Sequence, residues 1–176
     1  MPTLIRKASH AVLAVTVVFL ALYIPAMWVV WVGVILVVLA VISRTLRIFD
    51  PLRHAEGASY GELFFGIGVV LCGLMFLPEY PSAFVAGMLV LGFADTGAAL
   101  AGRRWGTHIY RVFGEKRSWE GSATACMISF MVLVGAGVGV PFAFFGALLL
   151  AGVEALSVRG SDNLVLPIVA GVLTLL

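Results

Sequence analysis

Proline and charge cut this chain into apolar runs, and charge enters those runs only near their ends. The runs occupy roughly residues 9–24, 26–43, 62–77, 83–100, 122–139, 142–156 and 164–176. Pro25, Pro78, Pro81 and Pro141 stand at the breaks, where a helix must stop or turn. Charged residues make up 11% of the chain, against roughly 25% in soluble domains, and the mean hydropathy is +1.12. Lipid is therefore the expected solvent. Inside hydrocarbon a segment must satisfy its own backbone hydrogen bonds, so closely spaced runs read as helical hairpins and not as strands. The expected fold is all-α: a polytopic transmembrane helical bundle forming one domain over residues 1–176. Seven spans fit best, and six or eight fit the same runs. Most runs fall short of the ~20 residues of a standard span, so several helices should end in the interface. The N-terminal order of charge followed by apolar residues resembles a signal peptide, but no small-residue cleavage site precedes Pro25, so a retained first span is expected.

With seven spans, all eleven cations fall on one face of the membrane, in the segments holding Arg6 and Lys7, Arg44 to Arg53, Arg103 to Arg117, and Arg159. The opposite face receives only Glu79. The positive-inside rule makes the first face cytoplasmic, with the N-terminus inside. Three cytoplasmic loops follow, at 44–61, 101–121 and 157–163. Eight of the nine acids also gather on that side, which points to a polar site as well as anchoring. No basic run suggests nucleic acid, and oligomeric state is open. Cys72 and Cys126 lie inside apolar runs without metal-ligand spacing and read as small hydrophobes.

The stretch "GRRWGTHIYRVFGEKRSWEGS", Gly102 to Ser122, concentrates five of the eleven cations. Arg103, Arg104, Arg111, Lys116 and Arg117 could neutralise phosphates; the same charges would also suit a juxtamembrane patch facing anionic lipid. Ser118 reads as an N-cap with Gly121 and Ser122 in the first turn, and a helix N-terminus offers backbone donors to phosphate. Asp95, after twelve uncharged residues, is costly near a bilayer unless paired or bound to a cation. It either pairs with Arg103 or Arg104, or ligates Mg²⁺ together with substrate phosphates. Glu120 is a candidate second metal ligand and Glu154 a third. Asp162 could orient or deprotonate a hydroxyl, with Asn163 beside it. Lys7 and His10 stand at the foot of the first run, and His10 is a second candidate for handling the hydroxyl. The glycines of "GAGVGV", Gly135 to Val140, suggest close helix packing. No GxxxxGK[ST] phosphate loop is present.

Four segments in order resemble the CTP-dependent lipid kinases, the family of dolichol kinase, phytol kinase and the CTP-using diacylglycerol kinase. They are "RKASH", "ADTGAALAGRRWG", "EKRSWEGS" and "VEALSVRGSDNLVLP". The resemblance extends more distantly to phosphatidate cytidylyltransferases. It implies phosphorylation of a membrane-embedded isoprenoid alcohol at the cytoplasmic face, with CTP as donor and Mg²⁺ as cofactor. Asp95, Gly102 and Arg103 match its Asp and Gly-Arg pattern; Arg117, Ser118, Glu120, Gly121 and Ser122 match its second element. Two positions depart from it: Ala94 stands where Gly is frequent, and Thr107-His108 where Lys commonly follows. The compact chain is closer to the phytol kinase type and its prokaryotic relatives, which implies a prokaryotic inner or plasma membrane. A cytidylyltransferase making a CDP-lipid, a diacylglycerol kinase, and a non-enzymatic transporter or lipid-binding scaffold remain alternatives at this level.

Overall fold

The computed structural model describes residues 2–46 and 59–176, with side chains from Lys7 onward. Arg47, Asp50, Arg53 and Glu56 of the expected loop 44–61, and the Arg6 side chain, lie outside the described residues. The helices are α1 Pro2–Tyr23, α2 Ala26–Thr45, α3 Gly61–Phe76, α4 Pro81–Trp105, α5 Trp119–Gly135, α6 Val140–Leu156 and α7 Asp162–Leu173. Each occupies one of the apolar runs. Pro25 and Pro81 act as expected: Pro25 precedes the first residue of α2, and Pro81 opens α4, where its missing N–H is no loss.

The α5–α6 turn corrects the reading of "GAGVGV". Val138 N–H donates to Leu133 O (3.0 Å) and Gly137 N–H to Val134 O (3.0 Å), with Gly137 at φ +95°. This is a Schellman end, which requires the left-handed conformation at its glycine. A Cβ at Gly135 or Gly137 would meet nothing within 4 Å, so helix packing does not explain these residues.

The region expected as loop 101–121 is ordered differently. α4 continues to Trp105 and α5 begins at Trp119. Between them β1 Ile109–Val112 pairs antiparallel with β2 Glu115–Ser118, in the register Ile109↔Ser118 to Val112↔Glu115. The turn is Phe113-Gly114, at φ +47° and +86°. Two left-handed residues match the twist of a tight hairpin. The fold is all-helical as expected, with one small two-stranded β-hairpin in the segment read as a loop.

A second irregularity sits inside α4. Val90–Ala94 forms a π-turn immediately before Asp95. The wider turn shifts the helical phase locally, and Phe84, Met88 and Leu91 as well as Asp95 and Ala98 are buried.

Two clusters fill the interior. Ala14 and Val17 of α1 pack with Phe65, Val69, Cys72 and Phe76 of α3 and with Phe84, Met88 and Leu91 of α4. Ala98, Ala125, Leu133, Leu150 and Leu166 form the second, among α4 to α7. Small residues let the backbones approach: a Cβ on Gly87 would lie 2.5 Å from Pro167 O. The outer surface is apolar as well. Trp28, Trp31, Ile35 and Leu39 of α2 and Phe142, Phe145 and Leu149 of α6 are exposed. By length and composition, α2 with 20 residues and α4 with 25 can each cross a membrane.

Candidate active site

One end of the bundle encloses a cavity of about 810 Å³. Its walls come from the start of α1, the second half of α4, the hairpin, the first turn of α5, the end of α6 and the start of α7. The segments "RKASH", "ADTGAALAGRRWG", "EKRSWEGS" and "VEALSVRGSDNLVLP" all reach it.

Lys7 and His10 lie one turn apart on α1 and face the same way. Lys7 Nζ pairs with the Asp95 carboxylate, and Thr96 Oγ1 donates to Lys7 O (2.9 Å). Asp95 thus pairs with Lys7 and not with Arg103 or Arg104. The partner is 88 positions away, beyond the reach of any spacing rule. His10 is buried and stacks on Phe65, with ring centroids 5.4 Å apart. Asn163 Nδ2 donates to Gly61 O (2.9 Å) and sits 3.3 Å from His10 Nδ1. A carbonyl oxygen can only accept, so the Asn163 nitrogen must be the donor to both neighbours. His10 Nδ1 is then an acceptor and the ring proton sits on Nε2. This tautomer has no lone pair at Nε2 with which to take a proton from a hydroxyl.

On α4 the cavity is lined by Asp95, Ala98, Ala99, Gly102 and Arg103, a stripe at helical spacing. Gly102 and Gly106 admit β2: a Cβ on Gly102 would stand 2.7 Å from Ser118 Oγ. Ser118 caps α5 by accepting from Gly121 N–H (3.1 Å). Tyr110 OH and Ser122 Oγ are 2.5 Å apart, tying the hairpin to the first turn of α5.

That first turn has few donors to spare. Trp119 N–H donates to His108 O (3.0 Å), Gly121 N–H is taken by Ser118, and the Glu120 carboxylate faces its own backbone N–H. The expectation that the helix start supplies free donors to a phosphate is corrected accordingly. Glu120 itself does not line the cavity. Its Oε1 accepts from Thr107 Oγ1 (2.7 Å), Thr107 N–H (3.1 Å) and His108 N–H (3.1 Å), and lies 2.8 Å from His108 Nδ1. These bonds, led by the one from Thr107, hold its carboxyl well below the usual range. Glu120 is a closure for the α4–β1 joint, and its expected role as metal ligand is withdrawn. Arg104 does not line the cavity either.

Lys116 and Arg117 line the hairpin side. Arg117 is anchored: one guanidinium nitrogen pairs with Glu154 and the other donates to Ser157 O (2.9 Å). Glu154 is buried in that pair, so it braces the hairpin against α6 instead of standing free for a metal. The α6–α7 loop reverses through Arg159 (φ +52°) and Gly160 (φ +89°), and Tyr60 N–H donates to Arg159 O (2.8 Å). A Cβ on Gly160 would lie 2.5 Å from Gly61 Cα, so the loop packs directly on the start of α3. Asp162 and Asn163, both buried, open α7 behind this loop. Burial and the nearby Asp95 charge push the Asp162 carboxyl up to about 6.

Ser59 and Arg159 also line the cavity, and neither stood out in the sequence. Ser59 carries no motif; its place follows from Arg44, which donates to Ser59 O while lying 4.5 Å over the Tyr60 ring.

Among the described residues no three acidic, histidine or cysteine side chains group as a metal cage. Asp95 and Asp162 nonetheless face one cavity, and the Asp95 charge helps raise the Asp162 carboxyl. Mg²⁺ often takes one or two carboxylates and completes its shell with water and phosphate oxygens. The cavity therefore joins Asp95 and Asp162, with Glu115 and the paired Glu154, to Lys7, Arg103, Lys116, Arg159 and the braced Arg117, a setting for a polyanion with a divalent cation.

No family model matches the sequence, and no solved structure matches the fold. A phytol kinase from Synechocystis sp. is 38% identical over 152 aligned residues, covering 78% of this chain. The aligned region spans 65% of that relative's own length. The chain belongs to the lipid kinase family that its four motifs resemble, alongside this phytol kinase.

Proposed function

We propose that this protein transfers a phosphoryl group from CTP to a membrane-embedded isoprenoid alcohol at the cytoplasmic face of a membrane. The observation that carries the reading is the convergence of Asp95, Asp162, Arg103, Lys116 and Arg117 on one cavity, in a relative of a phytol kinase. Phosphoryl transfer needs positioning and charge neutralisation more than covalent help from the protein.

Asp95 would hold Mg²⁺, which would neutralise phosphate charge when bound, and Asp162 is left to the alcohol. Lys7 then exchanges part of its contact with Asp95 for a phosphate oxygen. Arg103 and Lys116 take the charge spreading over the transferring group, and Arg117 is fixed in place by Glu154 and Ser157. Asp162 orients the alcohol and accepts its proton, a task its raised pKa suits. His10, proton on Nε2, donates there and does not act as base. The apolar outer surface and the clustering of cations at one end favour a multi-pass protein whose N-terminus faces the cytoplasm. The hydrocarbon tail then lies among the helices, with only the hydroxyl entering the cavity.

The test is transfer from labelled CTP or ATP, with Mg²⁺, to phytol, geranylgeraniol, a polyprenol or diacylglycerol in vesicles. A labelled isoprenoid phosphate with CDP as co-product is expected. Release of pyrophosphate would instead indicate a cytidylyltransferase, and no transfer to any alcohol would end the reading.

A further inference from the structure

The cations between Gly102 and Ser122 divide into two sets. Arg103, Lys116 and Arg117 line the cavity, whereas Arg104 and Arg111 do not. The second set has aromatic company. Trp105 at the hairpin's base is 65% exposed, Trp119 at its other base 67%, and Phe113 at its tip 78%. None of the three lines the cavity.

Phe113 is the most telling. It occupies the first left-handed position of the hairpin turn, at φ +47°. Asn, Asp or Gly adopt that conformation readily, and a bulky aromatic does not. A Cβ on its neighbour Gly114 would meet nothing within 4 Å, so the tip stands clear of the rest of the protein. In water the residue is unfavourable twice, once for its backbone and once for its exposed ring. Folding alone does not account for it.

We infer that the hairpin tip docks on an anionic lipid surface, with the Phe113 ring entering the interface and the exposed Arg104 and Arg111 meeting headgroup phosphates. Trp and aromatic rings favour the headgroup level. Basic residues near the surface add electrostatic attraction to anionic lipid that salt weakens. Of the segment's two acids, Glu115 lines the cavity and Glu120 is occupied by Thr107 and His108, which leaves Arg104 and Arg111 as the charges of the segment off the cavity wall. Docking would hold the cavity wall carrying Lys116 and Arg117 at headgroup depth. The inference is independent of which reaction the cavity performs.

The test uses the full chain with Phe113→Cys in a Cys126→Ala background, labelled with an environment-sensitive dye. Protein carrying Cys126→Ala alone gives the labelling background from Cys72. The labelled protein is reconstituted into phosphatidylcholine vesicles with or without phosphatidylglycerol, each made also with acyl-brominated lipid. Blue-shifted emission, quenched by bromine and stronger with phosphatidylglycerol, is expected. Arg104→Glu with Arg111→Glu should cut the quenching by roughly half, as should high salt. Water-like, unquenched emission in both vesicles overturns the inference. So does shielding that appears only with added CTP, which would make the tip a cover for the cavity. Shielding that scales with protein density would assign the tip to a second copy of the chain and also overturn it.

Discussion

Asp162 and Asp95 carry the sharpest consequences at the scale of single residues. The Asp162 carboxyl rises from 3.8 to about 6 on folding, mainly through burial and then through Asp95. A raised folded value favours the protonated form, so its support for the fold is complete below pH 3.8 and is lost as pH rises through about 6. Asp162→Asn mimics that form. It should stabilise the protein by about 1–3 kcal/mol above neutral pH and by nothing in acid, measured by thermal melts in detergent across pH. The same variant should lose transfer activity, and wild-type activity should fall as pH drops below about 6. Lys7 bears on the opposite partner. Lys7→Met leaves Asp95 buried without its cation, at a cost of about 3 kcal/mol, and Lys7→Met with Asp95→Asn should regain most of it. Asp95→Asn alone should keep its helical signal while transfer falls on the order of 10²-fold or more. The sequence marked Asp95 by its position after an uncharged stretch, but gave the wrong partner, because helix spacing cannot relate residues 88 positions apart.

Among the elements, α4 and its junction with the hairpin are decisive. The π-turn at Val90–Ala94 sets the direction in which Asp95 points. Nothing in the residue pattern announces a π-turn, since both halves of α4 are plausible α-helix. The small residues at the α4–α5 crossing were more readable in chemistry than in purpose. A Cβ on Gly121 would sit 2.8 Å from Ala98 O, so Gly121→Ala should lower the melting temperature by forcing the two backbones apart. Ser118→Ala should cost about 1 kcal/mol through the lost cap. The cap was legible because Ser before Glu-Gly-Ser and an apolar run is a local signal. The hairpin was not, because Phe-Gly is a weak turn signal beside Asn-Gly.

At the scale of the whole molecule, each apolar run located one described helix, although α1 starts at Pro2, well before its run, and α4 extends to Trp105, well beyond its own; proline and glycine located the joints. α7 has 12 residues, α3 16, and α5 and α6 17 each. Helices of that length cross a bilayer only where it is thinned or where their ends lie in the interface. Reporter fusions should place the N-terminus and the α6–α7 loop on the same cytoplasmic side; opposite sides would overturn the proposed topology. Chelation of divalent cations should abolish transfer, and adding Mg²⁺ back should restore it, measured as labelled lipid phosphate.

Hydropathy and breakers act between neighbours along the chain, so the sequence by itself determined the helical class, the number of apolar segments and the clustering of charge. It also brought forward most of the polar residues now found around the cavity. Only the tertiary structure decided which of them face one another. It gave Lys7 to Asp95, gave Arg117 to Glu154, closed Glu120 into a joint, and left Arg104 and Arg111 off the cavity wall. The reason is geometric. A charge's partner is set by how whole helices cross and by the phase in which each arrives, and those depend on packing contacts between segments far apart in the chain.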